Sequence, residues 1–110
     1  MDANSFKLVM YQTVHGKVPL KEWILSINDK KSVGIISSQI EKLTSGGLGR
    51  RRYVGKAVYE LKIFYGAGYR IYYAYLSGAK IILLSGGSKS SQSQDILQAQ
   101  FYLEDHKRRI

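Results

Sequence analysis

Cysteine is absent from the 110 residues, which excludes a disulfide framework and any thiolate-held metal. Acids are scarce: eight Asp and Glu stand against 17 Lys and Arg, for a formal net charge of +9. A polyanionic partner is the first implication. The two histidines, His15 and His106, lie far apart, and neither a Ser-His-Asp order, a carboxylate pair nor a metal-ligand spacing occurs. Hydrolase and metalloenzyme chemistry of those kinds has no residues to rest on. Gly86-Gly87 carries neither the dinucleotide fingerprint nor the Walker pattern and reads as a turn. The longest aliphatic run, Ile81 to Leu84, cannot span a hydrocarbon layer of ~30 Å. The first residues lack a signal-peptide pattern, and no segment joins a basic face to a broad unburied apolar one. The expectation is a soluble, cytoplasmic, single-domain protein with no membrane partner and no small-molecule cofactor.

What is present is hydrophobic period broken by turn residues. Phe6 to Gln12 is rich in strand formers. The one proline, Pro19, suits a first helical turn, and Leu20, Trp23, Ile24 and Ile27 follow on one face. Asn28-Asp29 then offers a stop and a new N-cap. Val33, Ile36, Ile40 and Leu43 mark a second helix, closed by Gly46-Gly47. From Val58 the period becomes that of strands: Val58 to Tyr65, Tyr69 to Leu76 and Lys80 to Ser85, joined by Gly66-Ala67-Gly68 and Ser77-Gly78. Ile81 to Leu84 is apolar on both faces, which suits an inner strand. Ser91-x-x-Gln94 opens a last helix through Ile96, Ala99 and Leu103 with a capping-box pattern. The predicted class is α+β, in the order β-α-α-β-β-β-α, with about four mainly antiparallel strands. The helices are expected on one face of the sheet, with the other face at least partly open.

Charge concentrates where the strands are. Between Gly46 and Gln94 the basic residues are Arg50, Arg51, Arg52, Lys56, Lys62, Arg70, Lys80 and Lys89, against one acid, Glu60. A three-residue loop in the second hairpin would set Tyr65 opposite Tyr69, Phe64 opposite Arg70 and Lys62 opposite Tyr72. Glu60, Lys62, Phe64, Arg70 and Tyr72 then share the open face, and Leu61, Ile63, Ile71 and Tyr73 face the helices. A two-residue loop would bury Arg70, which is costly without a partner. Lys62, Arg70 and Lys89 from three strands are thereby placed to converge on one phosphate, with Tyr72 available to stack a base. Arg50-Arg51-Arg52 after Gly46-Gly47-Leu48-Gly49 reads as a loop or a mobile phosphate-binding arm.

The stretches ELKIFYGAGYRIYYAY and IILLSGGSKSSQSQDILQA carry a resemblance. Their combination of E-L-K/R-I, G-x-G-Y-R-x-Y, L-x-G-G-x-K-x-x-Q and D-I-x-x-A resembles the HigB-like addiction module killer proteins of the RelE/ParE toxin superfamily. The likeness covers about half the chain closely. It implies a RelE-like fold and the toxin of a type II toxin–antitoxin pair. It further implies a metal-independent endoribonuclease that cuts mRNA, on the ribosome in many relatives, by attack of a ribose 2′-hydroxyl on its adjacent phosphate. By the same resemblance Arg70 would bind the phosphate, Lys89 would stabilise the transition state or leaving group, and Lys62 would act as base. Arg50, Arg51, Arg52, Lys56, Tyr72 and Gln92 would complete the RNA contacts, and a cognate antitoxin would be the protein partner. Ser88 stands where many relatives carry Asp, and the C-terminal Tyr or His of several cleaving members has no clear counterpart. A gyrase-inhibiting ParE-like toxin and a non-catalytic nucleic-acid-binding relative are the alternatives.

Overall fold

Lys7–Met10 forms the first strand, β1, of a computed structural model that describes residues 5–46 and 50–110. Helix α1, Pro19–Leu25, starts on the proline whose missing N–H belongs to the first turn. Helix α2, Lys30–Lys42, is capped by Asp29, whose carboxylate accepts from the Lys31 amide at 3.1 Å. A 3-10 turn over Leu43–Ser45 then ends on Gly46 at φ 71°, a left-handed stop that glycine adopts without strain. Strands β2, Arg50–Gly55; β3, Val58–Ile63; β4, Tyr69–Leu76; and β5, Lys80–Ser88, lead into helix α3, Gln92–Arg108. The sheet has five strands in the order β1-β5-β4-β3-β2. Among the described residues only β1 and β5 pair in parallel, so the class is α+β with a mixed sheet. No helix among the described residues is long and apolar enough to cross a membrane.

Three expectations about the strands need correction. The fifth strand, β2, occupies residues read as a loop or mobile arm; Gly47, Leu48 and Gly49 of that proposed arm lie outside the described residues. Three consecutive arginines hide strand periodicity. What makes β2 a strand is pairing with β3 through the tight turn at Lys56 and Ala57, at φ 51° and 66°, a twist that suits a hairpin. Next, the second hairpin pairs Ile63 with Tyr69, Lys62 with Arg70 and Glu60 with Tyr72. The loop is therefore Phe64 to Gly68, and the predicted register is off by two residues. A shift of two preserves face, so the predicted grouping of side chains is kept. Finally, Gly86 and Gly87 lie within β5 and are not a turn.

Both faces of the sheet are covered. Leu20 of α1 and Ile36 of α2 join Leu61, Ile63, Ile71, Tyr73, Ile81 and Leu83 in one buried cluster. Ala99 and Leu103 of α3 join Tyr11, Val58, Tyr72, Ala74, Ile82 and Leu84 in a second. The expectation of helices on one face fails because inner strands β4 and β5 are apolar on both, and burying the second set at ~25 cal/mol per Å² favours a third layer. The glycine pair admits this sandwich. A methyl group on Gly86 would overlap the Trp23 ring of α1, and one on Gly87 would overlap the Asp95 carboxylate of α3. The capping box does not form: the Ser91 hydroxyl instead donates to Asp95 Oδ2 at 2.5 Å.

Candidate nucleic-acid interface

Strand register places the charges in rows across the sheet. Arg50, Lys62, Arg70 and Gly87 are successive cross-strand partners on β2, β3, β4 and β5. The neighbouring row is Arg52, Glu60, Tyr72 and Ser85. Alternation sets both rows on the α3 face. Like charges directly opposite are destabilising in a sheet, yet three cations stand abreast in the first row. Arg50 and Arg52 are exposed and Lys62 is half-buried, so the β2–β3 end of this face is open. A cleft of about 210 Å³ there is lined by Arg50, Arg51, Arg52, Glu60 and Lys62.

Glu60 is the hub of the second row. It is 1% exposed. Its Oε2 accepts from the Gln92 amide at 2.9 Å and from the Tyr72 hydroxyl at 3.1 Å, and lies 3.6 Å from Arg70 Nε. Its Oε1 accepts no hydrogen bond and faces Arg52 Nη2 at 3.5 Å. Burial, then the adjacent carboxylate, pushes the Tyr72 phenol well above its ordinary range, so it remains a donor to Glu60. Arg70 is itself only 5% exposed, and its Nε and Nη1 are buried without a hydrogen-bond partner. Orphaned guanidinium donors beside a row of cations fit an anion or water as their missing acceptor.

Several site assignments change accordingly. Arg70 does not face an open groove, since it is buried and paired with Glu60. Tyr72 is fully buried under α3 and cannot stack a base. Gln92 has its amide committed to Glu60. Arg51 points to the opposite face, where it donates to the Tyr75 hydroxyl at 2.6 Å and lies over the Tyr59 ring. Lys56 sits in the β2–β3 turn at the other end of the strands and lines a separate cleft with Leu97 and Phe101 of α3. Lys89 is exposed just beyond β5, and its amide donates to the Gly68 carbonyl at 3.2 Å, which ties it to the β3–β4 turn beside Arg70.

Two residues outside the predicted site belong to it. Phe64, 66% exposed, packs under both Arg50 and Lys62, with the cations 5.2 and 5.7 Å from its ring centre. Its ring is exposed on this face where that of Tyr72 is buried. Glu60 was legible as the lone acid of the basic segment, sharing alternation with Arg70. The structure thus defines a small α+β protein with an open, cation-lined sheet end organised around one buried Glu–Arg pair.

No protein-family model matches the chain. Its sequence is 34% identical over 83 residues to an uncharacterized protein of Haemophilus influenzae, an alignment covering 76% of this chain and 84% of that protein. The chain belongs to the same family as that Haemophilus protein.

Proposed function

We propose that this protein is a RelE-like toxin of a type II toxin–antitoxin pair, acting as a metal-independent endoribonuclease on mRNA. The observation that carries the reading is the row Arg50, Lys62 and Arg70, held abreast with orphaned Arg70 donors at one end and exposed Phe64 at the other. A ribose-phosphate chain satisfies each part: phosphate oxygens neutralise the cations, and a base stacks on the ring. Cleavage at such a site proceeds by attack of the 2′-oxygen on phosphorus. Cations fixed in advance lower the energy of the charge that builds on the phosphoryl oxygens. Lys62 and Arg50 supply that field from the open end, Arg70 from below, and Lys89 at the leaving oxygen. The element order and the sequence motifs support the RelE-like scaffold, and the net charge of +9 suits an acidic antitoxin segment that folds over the cleft.

The test is incubation of purified protein with mRNA on programmed ribosomes, and with free RNA, in the presence of EDTA. Cleavage leaving 2′,3′-cyclic phosphate ends, lowered 100-fold or more by Lys62→Ala or Lys89→Ala, is the expected outcome. Intact transcripts accompanied by DNA breaks in expressing cells would replace it with gyrase inhibition. RNA bound but never cut would leave a non-catalytic binder.

A further inference from the structure

The cations leave one step of this reaction without an agent. Taking the 2′-hydroxyl proton requires a lone pair beside the phosphate, and protonated Lys and Arg side chains offer none. Two carboxylates stand near Arg70 among the described residues. Asp95 is bonded through Oδ2 to Ser91 at 2.5 Å and packs over Gly87. Glu60 is placed differently. Gln92 and Tyr72 hold its Oε2, fixing the plane of the carboxylate, while Oε1 is buried without a hydrogen-bond donor, and the residue borders the cleft with Arg50, Arg52 and Lys62. The partner of Oε1 is Arg52, whose side chain is 61% exposed.

We propose that Glu60 is the general base of the cleavage, an assignment that rests on the nuclease reading above. Arg52 leaves Oε1 for a phosphate oxygen, and Oε1 accepts the proton of the 2′-hydroxyl. The bond from O2′ to phosphorus forms, the bond from phosphorus to O5′ breaks, and O5′ takes a proton from the Lys89 ammonium. The products are a 2′,3′-cyclic phosphate and a 5′-hydroxyl, and solvent exchange returns the proton from Glu60 to Lys89. In the free protein the carboxylate is buried beneath its partners, so the base is uncovered only as RNA draws Arg52 away. Gln92 and Tyr72 act through Glu60 and are positioning residues.

The experiment measures single-turnover cleavage of an RNA oligonucleotide at neutral pH for the wild type, Glu60→Gln and Glu60→Asp. Affinity for the same oligonucleotide with 2′-deoxyribose at the scissile position is read in parallel, with thermal melts to establish folding. Expected is a Glu60→Gln rate at least 100-fold below that of the wild type. The deoxy oligonucleotide should bind Glu60→Gln within threefold of wild type or tighter. Glu60→Asp, which keeps the carboxylate but draws it back by a methylene, should lose only about tenfold in rate. Folded Glu60→Gln that cuts within threefold of the wild-type rate, or a loss of binding that accounts for the whole loss of rate, overturns the assignment. Should Glu60→Gln not fold, Glu60→Asp at wild-type rate overturns it alone. Wild-type protein that cuts no RNA sinks the nuclease reading itself, and this assignment with it.

Discussion

Arg70 and Glu60 hold each other in place, and the energetics of the pair differ from those of its halves. Removing one partner leaves an uncompensated buried charge, a loss of ~3–5 kcal/mol, whereas replacing both with apolar groups of similar size is often near neutral. Urea unfolding of Arg70→Met should therefore show a fall of that size, and Arg70→Met combined with Glu60→Leu a much smaller one. Equal losses would mean that the pair at 3.6 Å adds little coupling. Phe64 works at the same scale but on binding. Because its ring is exposed and flanked by Arg50 and Lys62, Phe64→Ala should weaken binding of uncleavable single-stranded RNA by ~1–3 kcal/mol with the fold intact. Tyr72→Phe should leave that affinity unchanged, since the Tyr72 ring is buried; fluorescence anisotropy separates the two.

Between elements, the end of α3 is fastened to the segment following β1. The Tyr11 hydroxyl donates to Asp105 Oδ2 at 2.6 Å, and Arg109 donates both to that oxygen and to the Gln12 carbonyl. Burial, and then the Asp105 acceptor, pushes the Tyr11 phenol up from 10.0 to about 12. A folded value above the unfolded one stabilises the fold below the unfolded value and is lost as pH rises through the folded value. The window is thus pH 10 to 12. Tyr11→Phe should lower stability by ~1 kcal/mol at neutral pH and flatten the alkaline loss in that window, followed by thermal melts against pH. Such long-range fastenings are not written in local pattern. The hydrophobic stripes of α1, α2 and α3 were legible, as was the sharing of one face by Glu60, Lys62 and Arg70, because alternation has a period of two. The strand β2 was not, since its arginines carry no alternation and its pairing comes from β3. The burial of Arg70 was not either: it depends on Glu60 across a hairpin and on Gln92 from α3, and only the tertiary structure brings those together.

At the level of the whole molecule, a charge of +9 could attract RNA diffusely or through one site, and salt separates the two. Counterion release gives a slope of log affinity against log salt of about −0.7 per phosphate neutralised on a single strand. Arg50, Arg52, Lys62 and Lys89 are the free or movable cations at the open sheet end, while Arg70 is already balanced by Glu60. Four such contacts give a slope of about −3 between 50 and 200 mM salt for an uncleavable oligonucleotide. Arg50→Ala with Lys62→Ala should bring it to about −1.4. Lys56→Ala with Lys107→Ala removes the same charge from a separate cleft beside α3 and should leave the slope near its full value. If both double variants reduce the slope alike, attraction is a property of the total charge, and the row across β2, β3 and β4 loses its standing as the place where RNA is held.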